Sequence, residues 1–156
     1  MYNYRGKFDP KKVLEKVEEY EVDSVCAPPT VWRLFLLEDL RKYNFSLKEA
    51  VSAGEPLNQE IIERVQKATG ITVREGYRQT ETTLQIRTFP GIKVKLGSMG
   101  KEAPGFNIGI LDNENRELGT GEEGIIAVKV KPTKPVRLME GYLDPFEKNF
   151  EVFVGQ

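Results

Sequence analysis

The chain has 156 residues, the size of one ordinary domain or of two small subdomains sharing a core. Hydrophobic residues make up 39% and charged residues 30%, a globular balance that excludes a disordered chain or one built to live in a bilayer. The 23 Lys plus Arg nearly cancel the 24 Asp plus Glu, so a net charge of -1 supplies no field to attract nucleic acid or an anionic membrane.

The sequence has no histidine, which excludes Ser-His-Asp and Cys-His catalysis and His-based zinc sites. No apolar run approaches bilayer length, and the opening MYNYRGKFDP lacks the apolar core of a signal peptide. A cytoplasmic location is expected. Cys26 is the single cysteine and lies in an apolar run, so it reads as a buried structural thiol.

Asp9-Pro10 pairs a cap with a first-turn proline, and Val13, Leu14, Val17 and Tyr20 follow at helical spacing. That predicts a first amphipathic helix. A short strand is expected from Asp23 to Ala27, ended by Pro28-Pro29. Thr30 is then the expected cap of a helix whose apolar face holds Val31, Leu34, Phe35 and Leu40.

The pattern repeats, with a strand at Glu49 to Ala53, the loop Gly54-Glu55-Pro56-Leu57, and a helix capped by Asn58. Its buried stripe is Ile61, Ile62, Val65 and Ala68, and Gly70 stops it before a strand from Ile71 to Glu75. Strands alternating with helices in this way predict an α/β fold, a partial βαβ subdomain with a parallel sheet, over 1–90. Beyond Phe89-Pro90 glycines multiply, and a β-rich, distorted barrel-like subdomain is expected over 91–156. There Phe106 to Leu111 reads as a strand, Asp112 to Asn115 as a turn, and Ile126, Val128 and Val130 as the inward side of a second strand.

Open parallel sheets bind ligands beyond the carboxyl ends of their strands, where the loops of neighbouring strands converge. Ser52 to Pro56 and Glu75 to Glu81 (EGYRQTE) are both expected there, and they meet if their strands are neighbours. Gly54 and Gly76 allow close backbone approach, Tyr77 offers a ring and Thr80 a hydroxyl, a set suited to a flat, anionic ligand. From the residues alone, Glu81 is either a hard-cation ligand or a solvated surface group. Tyr77 is either a stacking platform or a core or rim aromatic.

Successive segments carry a family resemblance: SAGEPLN at Ser52 to Asn58, GYRQTET at Gly76 to Thr82, and GSMGKEAPGFNIGILDNENRELGTGEEGIIAVKV at Gly97 to Val130. With Phe8 to Leu36 and Val130 to Pro145, they make nearly the whole chain similar to the AMP-forming acyl-CoA synthetases, and within them to the medium-chain branch. Such enzymes use ATP and magnesium to turn a carboxylic acid into an acyl-adenylate, then pass the acyl group to coenzyme A. The substrate carboxylate is the nucleophile, so the missing histidines are no objection. The resemblance implies that Gly54, Glu55, Pro56, Glu75, Gly76, Tyr77, Arg78, Gln79 and Thr80 line a nucleotide site. Within it Tyr77 packs on adenine, Thr80 contacts the α-phosphate, and Glu81 is the magnesium carboxylate.

Three departures shape the expectation. Arg78 stands where the family pattern has glycine, which implies a perturbed or weakened site. The sequence contains nothing similar to the family's phosphate loop, and it ends before the ribose-binding aspartate and the carboxyl-terminal domain with its catalytic lysine. The resemblance therefore implies an internal fragment of an enzyme of fatty acid metabolism, inactive alone. Alternatives are a non-catalytic nucleotide-binding or interaction module, or one piece of a split enzyme. Exposed sheet edges imply a homo-oligomer or a complementing chain.

Overall fold

The structure, a computed structural model, describes residues 6–154. The chain forms two compact units, one of Met1–Arg78 with Ile86–Lys101 and one of Gln79–Gln85 with Glu102–Gln156.

In the first unit, helix α1 (Pro10–Glu19) starts as its sequence dictates: the Asp9 side chain accepts a hydrogen bond from Lys12 N, and Pro10 occupies the first turn. Leu14 and Val17 are buried, whereas Tyr20 falls at the carboxyl cap and is 51% exposed, outside the expected stripe. Strand β1 (Ser24–Ala27) leads into α2 (Pro29–Phe35). Thr30 does not cap α2: the cap position is Pro28, which makes no side-chain hydrogen bond. Proline suits this entry, since Pro29 in the first turn needs no amide partner and arrives with a helical φ. The buried face of α2 is Pro29, Trp32 and Phe35, while Leu34 turns outward and Leu40 belongs to a separate 3-10 turn, Leu40–Lys42.

Strand β2 (Glu49–Ala53), helix α3 (Gln59–Thr69) and strand β3 (Val73–Gln79) follow. Asn58 accepts from Glu60 N, and Gly70 closes α3 in the left-handed conformation at φ 75°. Ile61, Ile62 and Val65 are buried on α3, each worth roughly 1.5–3 kcal/mol of transfer free energy. They pack with Leu14, Trp32, Phe35, Ala50 and Val73 into one core. The core gap lined by Leu14, Trp32, Phe35 and Val65 holds only 20 Å³, room for about one water and not for a ligand.

One sheet orders its strands β1-β2-β3-β4-β5, where β4 is Thr83–Arg87 and β5 is Lys101–Glu102. β1, β2 and β3 run parallel, as the alternation of elements predicts. Hydrogen bonds from Thr82 N to Gln79 O (3.3 Å) and from Thr88 N to Glu75 O (3.0 Å) make β3 and β4 an antiparallel hairpin. Cys26 is exposed, not buried. On a strand side chains alternate, and in β1 Ala27 is the residue that turns inward, leaving Ser24 and Cys26 on the other face.

In the second unit, β6 (Ile108–Leu111) and β7 (Ile125–Val128) form a two-stranded antiparallel sheet with Ile108 opposite Val128 and Leu111 opposite Ile125. The expected turn after β6 is closed by Asp112, whose Oδ1 accepts from Glu114 N at 2.8 Å and Arg116 N at 2.9 Å. A short helix, α4 (Lys148–Val152), has no counterpart in the sequence reading. No helix among the described residues is long and apolar enough to cross a membrane.

Candidate functional site

Within the first unit, the parallel register sets Ser52 beside Glu75 and Ala53 beside Gly76, so the chain leaving β2 lies alongside β3. Gly54 takes φ 104°, a conformation that strains any side-chain-bearing residue, and it turns the chain out of the sheet. Gly54, Glu55 and Pro56 are exposed, and Leu57 then plunges back into the core. Glu75 Oε1 accepts a hydrogen bond from Leu57 N at 3.2 Å, tying the loop to β3. Glu75 therefore has a bracing job that its place in the motif did not disclose.

The EGYRQTE stretch is mostly strand, where the sequence suggested a loop. β3 continues through Gln79, and only Thr80 and Glu81 stand in the turn. Pairing explains the extension, because β3 neighbours β4, a strand the sequence reading missed, with Glu75 O and Gln79 O accepting from Thr88 N and Thr82 N at its two ends. Gly76 is buried, Tyr77 is half-buried, and Arg78 is exposed. Ser52, at the end of β2, is fully buried, and its Oγ has no hydrogen-bond partner among the described residues.

Within the second unit, the hairpin turn that carries Thr80 and Glu81 is held from beneath by Gln85, which is 1% exposed. Its Nε2 donates to Gln79 Oε1 at 3.0 Å and to Thr82 Oγ1, while Ala103 N donates to its carbonyl at 2.7 Å. Thr80 is exposed. Glu81 is half-buried, and its Oε1 accepts from the Tyr142 hydroxyl at 2.8 Å. Met139 N donates to the Glu81 carbonyl at 2.7 Å, a second clamp on the same residue. Glu81, Gln79, Gln85 and Tyr142 share a 390 Å³ cleft whose apolar wall includes Ile126, Val128 and Leu138.

The Tyr142 hydroxyl, then Glu81's own amide and the Lys148 charge, hold the Glu81 carboxyl below its ordinary value, against a smaller burial effect. Glu81 is thus an anion at neutral pH. The same hydrogen bond, with burial and the carboxylate charge behind it, pushes the Tyr142 phenol up. Among the described residues no three His, Cys, Asp or Glu side chains gather as a metal cage. A lone ionised carboxylate fits magnesium, which keeps its waters and binds through one or two carboxylates plus substrate phosphates. Tyr142 was invisible as a site residue because it stands 61 positions from Glu81.

A family profile described as AMP-binding enzyme matches residues 1–143. The chain is 43% identical over 154 residues to the mitochondrial acyl-coenzyme A synthetase ACSM3 of Rattus norvegicus, covering 98% of this chain and 27% of that protein. It is 46% identical over 153 residues to 4-hydroxybutyrate–CoA ligase 1 of Metallosphaera sedula, covering 97% of this chain and 27% of that protein. The crystal structure of the anthranilate CoA ligase AuaEII in complex with anthranoyl-AMP superposes with a TM-score of 0.84 at 26% identity, over 94% of this chain and 28% of that one. The chain thus spans about a quarter of the length of the relatives it matches.

Proposed function

Because the chain belongs to the AMP-binding enzyme family, we propose that it carries part of the adenylate site of an acyl-CoA ligase. The observation that carries this reading is the β2–β3 register, with Ser52 opposite Glu75 and Ala53 opposite Gly76, which joins the SAGEP and EGYR segments as one surface. In the parent reaction a carboxylate oxygen attacks the α-phosphorus of ATP, and the bond to pyrophosphate breaks. The coenzyme A thiolate then attacks the acyl carbon and AMP leaves. A medium-chain fatty acid or a related acid is the proposed substrate.

We assign Gly54, Glu55, Pro56, Glu75, Gly76 and Tyr77 to the base side of the nucleotide. The exposed Gly54 admits close backbone approach and the half-exposed Tyr77 offers a ring face, while Gly76, buried in β3, is assigned by its place beside Ala53. Gln79, Thr80 and Glu81 are assigned to the phosphates and their metal, Thr80 by its exposed hydroxyl and Glu81 by its ionised carboxylate. Magnesium, when bound, would neutralise charge on the phosphoryl oxygens. The chain's own residues orient the phosphates and present a fixed negative charge to that ion, which is catalysis by positioning and electrostatics.

Arg78 is exposed beside Tyr77 where glycine is expected, and this favours a weakened site in the chain alone. It also keeps a second reading in view, a non-catalytic nucleotide-binding or interaction module, or one piece of a split enzyme. Among the described residues β1 is the outermost strand of its sheet, and its edge suits pairing with another chain or a second copy. The single unpaired thiol, Cys26, suits a reducing compartment, and we place the protein in the cytoplasm.

Pyrophosphate release with ATP, magnesium and medium-chain acids tests the reading. The 156-residue chain is expected to release none, and robust release would contradict its inertness. Spliced in place of the matching segment of a full-length relative, with Arg78→Gly, it should support release. A correctly folded splice that activates no acid would contradict the ligase reading.

A further inference from the structure

The Tyr142–Glu81 hydrogen bond is built with more care than a surface contact requires. Tyr142 is fixed at both ends of its peptide: its N donates to Asn149 Oδ1 at 2.7 Å, and its carbonyl accepts from Asn149 Nδ2 at 2.8 Å. Asn149 Nδ2 also donates to Phe146 O at 2.8 Å, so the amide that grips Tyr142 is itself held. Lys148 Nζ lies 4.5 Å from the centroid of the Tyr142 ring, steadying its plane by a cation–π contact. From this brace the phenol reaches 2.8 Å to Glu81 Oε1, while Met139, three residues before Tyr142, donates its N–H to the Glu81 carbonyl. Backbone and side chain of Glu81 are therefore held from one segment, 139–149.

We propose that Tyr142 is a positioning residue that sets the orientation of the Glu81 carboxylate for a nucleotide-bound divalent cation. The inference rests on the proposed role of Glu81 as the metal carboxylate. A free glutamate rotates about three side-chain bonds, and ordering it at the moment of binding costs free energy. A phenol that donates to one carboxylate oxygen removes that freedom in advance and leaves the carboxylate charged, since the bond is a donation to an anion. Groups of this kind behind a metal ligand change metal affinity about 10–100-fold when lost.

The test uses the 156-residue chain, with Mn²⁺ as a paramagnetic stand-in for magnesium, in the presence of ATP. Amide NMR broadening registers even sparse occupancy, which suits a weak site. Wild-type protein should show broadening centred on residues 80–82, and Glu81→Gln should abolish it. Tyr142→Phe keeps the ring and the Lys148 contact; it should need about tenfold more Mn²⁺ for the same broadening. Its affinity for AMP without metal should not change. Equal Mn²⁺ response in wild type and Tyr142→Phe overturns the inference and leaves the metal role of Glu81 standing. A parallel loss of metal-free AMP binding also overturns it, since that marks a structural role. No broadening at 80–82 in the wild type overturns the Glu81 assignment and the inference together.

Discussion

Glu81 and Tyr142 depend on each other for their protonation states. The carboxyl is depressed in the fold, so its contribution to stability is complete above its unfolded value and is lost as pH falls through the folded one. The phenol is raised, so its contribution is complete below its unfolded value and is lost as pH rises through the folded one. The bond therefore supports the fold across neutral pH and weakens at both extremes. Tyr142→Phe should return the Glu81 carboxyl toward its ordinary value in a metal-free ¹³C NMR titration. An unchanged titration would mean that Glu81's own amide and the Lys148 charge suffice. The bond to Tyr142 was not legible in the sequence, where the residues left Glu81 as a cation ligand or a surface group and the resemblance made it the magnesium carboxylate, without naming a partner for it. A hydrogen bond across 61 positions leaves no periodicity or cap to read. Cys26 failed differently: its apolar neighbours suggested burial, but the facing direction on β1 was decided by the pleat.

Among the elements, those with local signals were legible, and those made by pairing were not. Asp9 and Asn58 cap α1 and α3, and Gly70 ends α3, because a side-chain oxygen or a left-handed residue acts within one turn of its own position. The extension of β3 to Gln79 and the existence of β4 depend on each other and on Gln85, so neither shows in a window of the sequence. Thr30 looked like a cap only because a hydroxyl followed two prolines, and the prolines themselves started the helix. Gly100 illustrates the contrast in energy. A Cβ there would lie 2.3 Å from the Arg87 carbonyl oxygen, a contact that cannot relax without moving the backbone after β4. Asn58→Ala should cost about 1 kcal/mol. Gly100→Ala should cost more than twice as much in urea denaturation, and equal costs would mean that the 87–100 contact yields easily.

At the scale of the molecule, the parallel β1-β2-β3 arrangement makes β2 and β3 neighbours, which was legible from the strand and helix alternation alone, whereas the strand character of 76–79 was not. The family resemblance then supplied residue roles that alternation cannot supply. Those roles are most directly tested by an AMP titration of the ¹⁵N-labelled 156-residue chain, read as amide shifts. Weak, saturable shifts should concentrate at residues 53–57 and 75–78, the surface that the register and the Glu75–Leu57 hydrogen bond hold together. Shifts that saturate elsewhere, or none at these residues at high AMP, would contradict the assignment of this surface to the nucleotide.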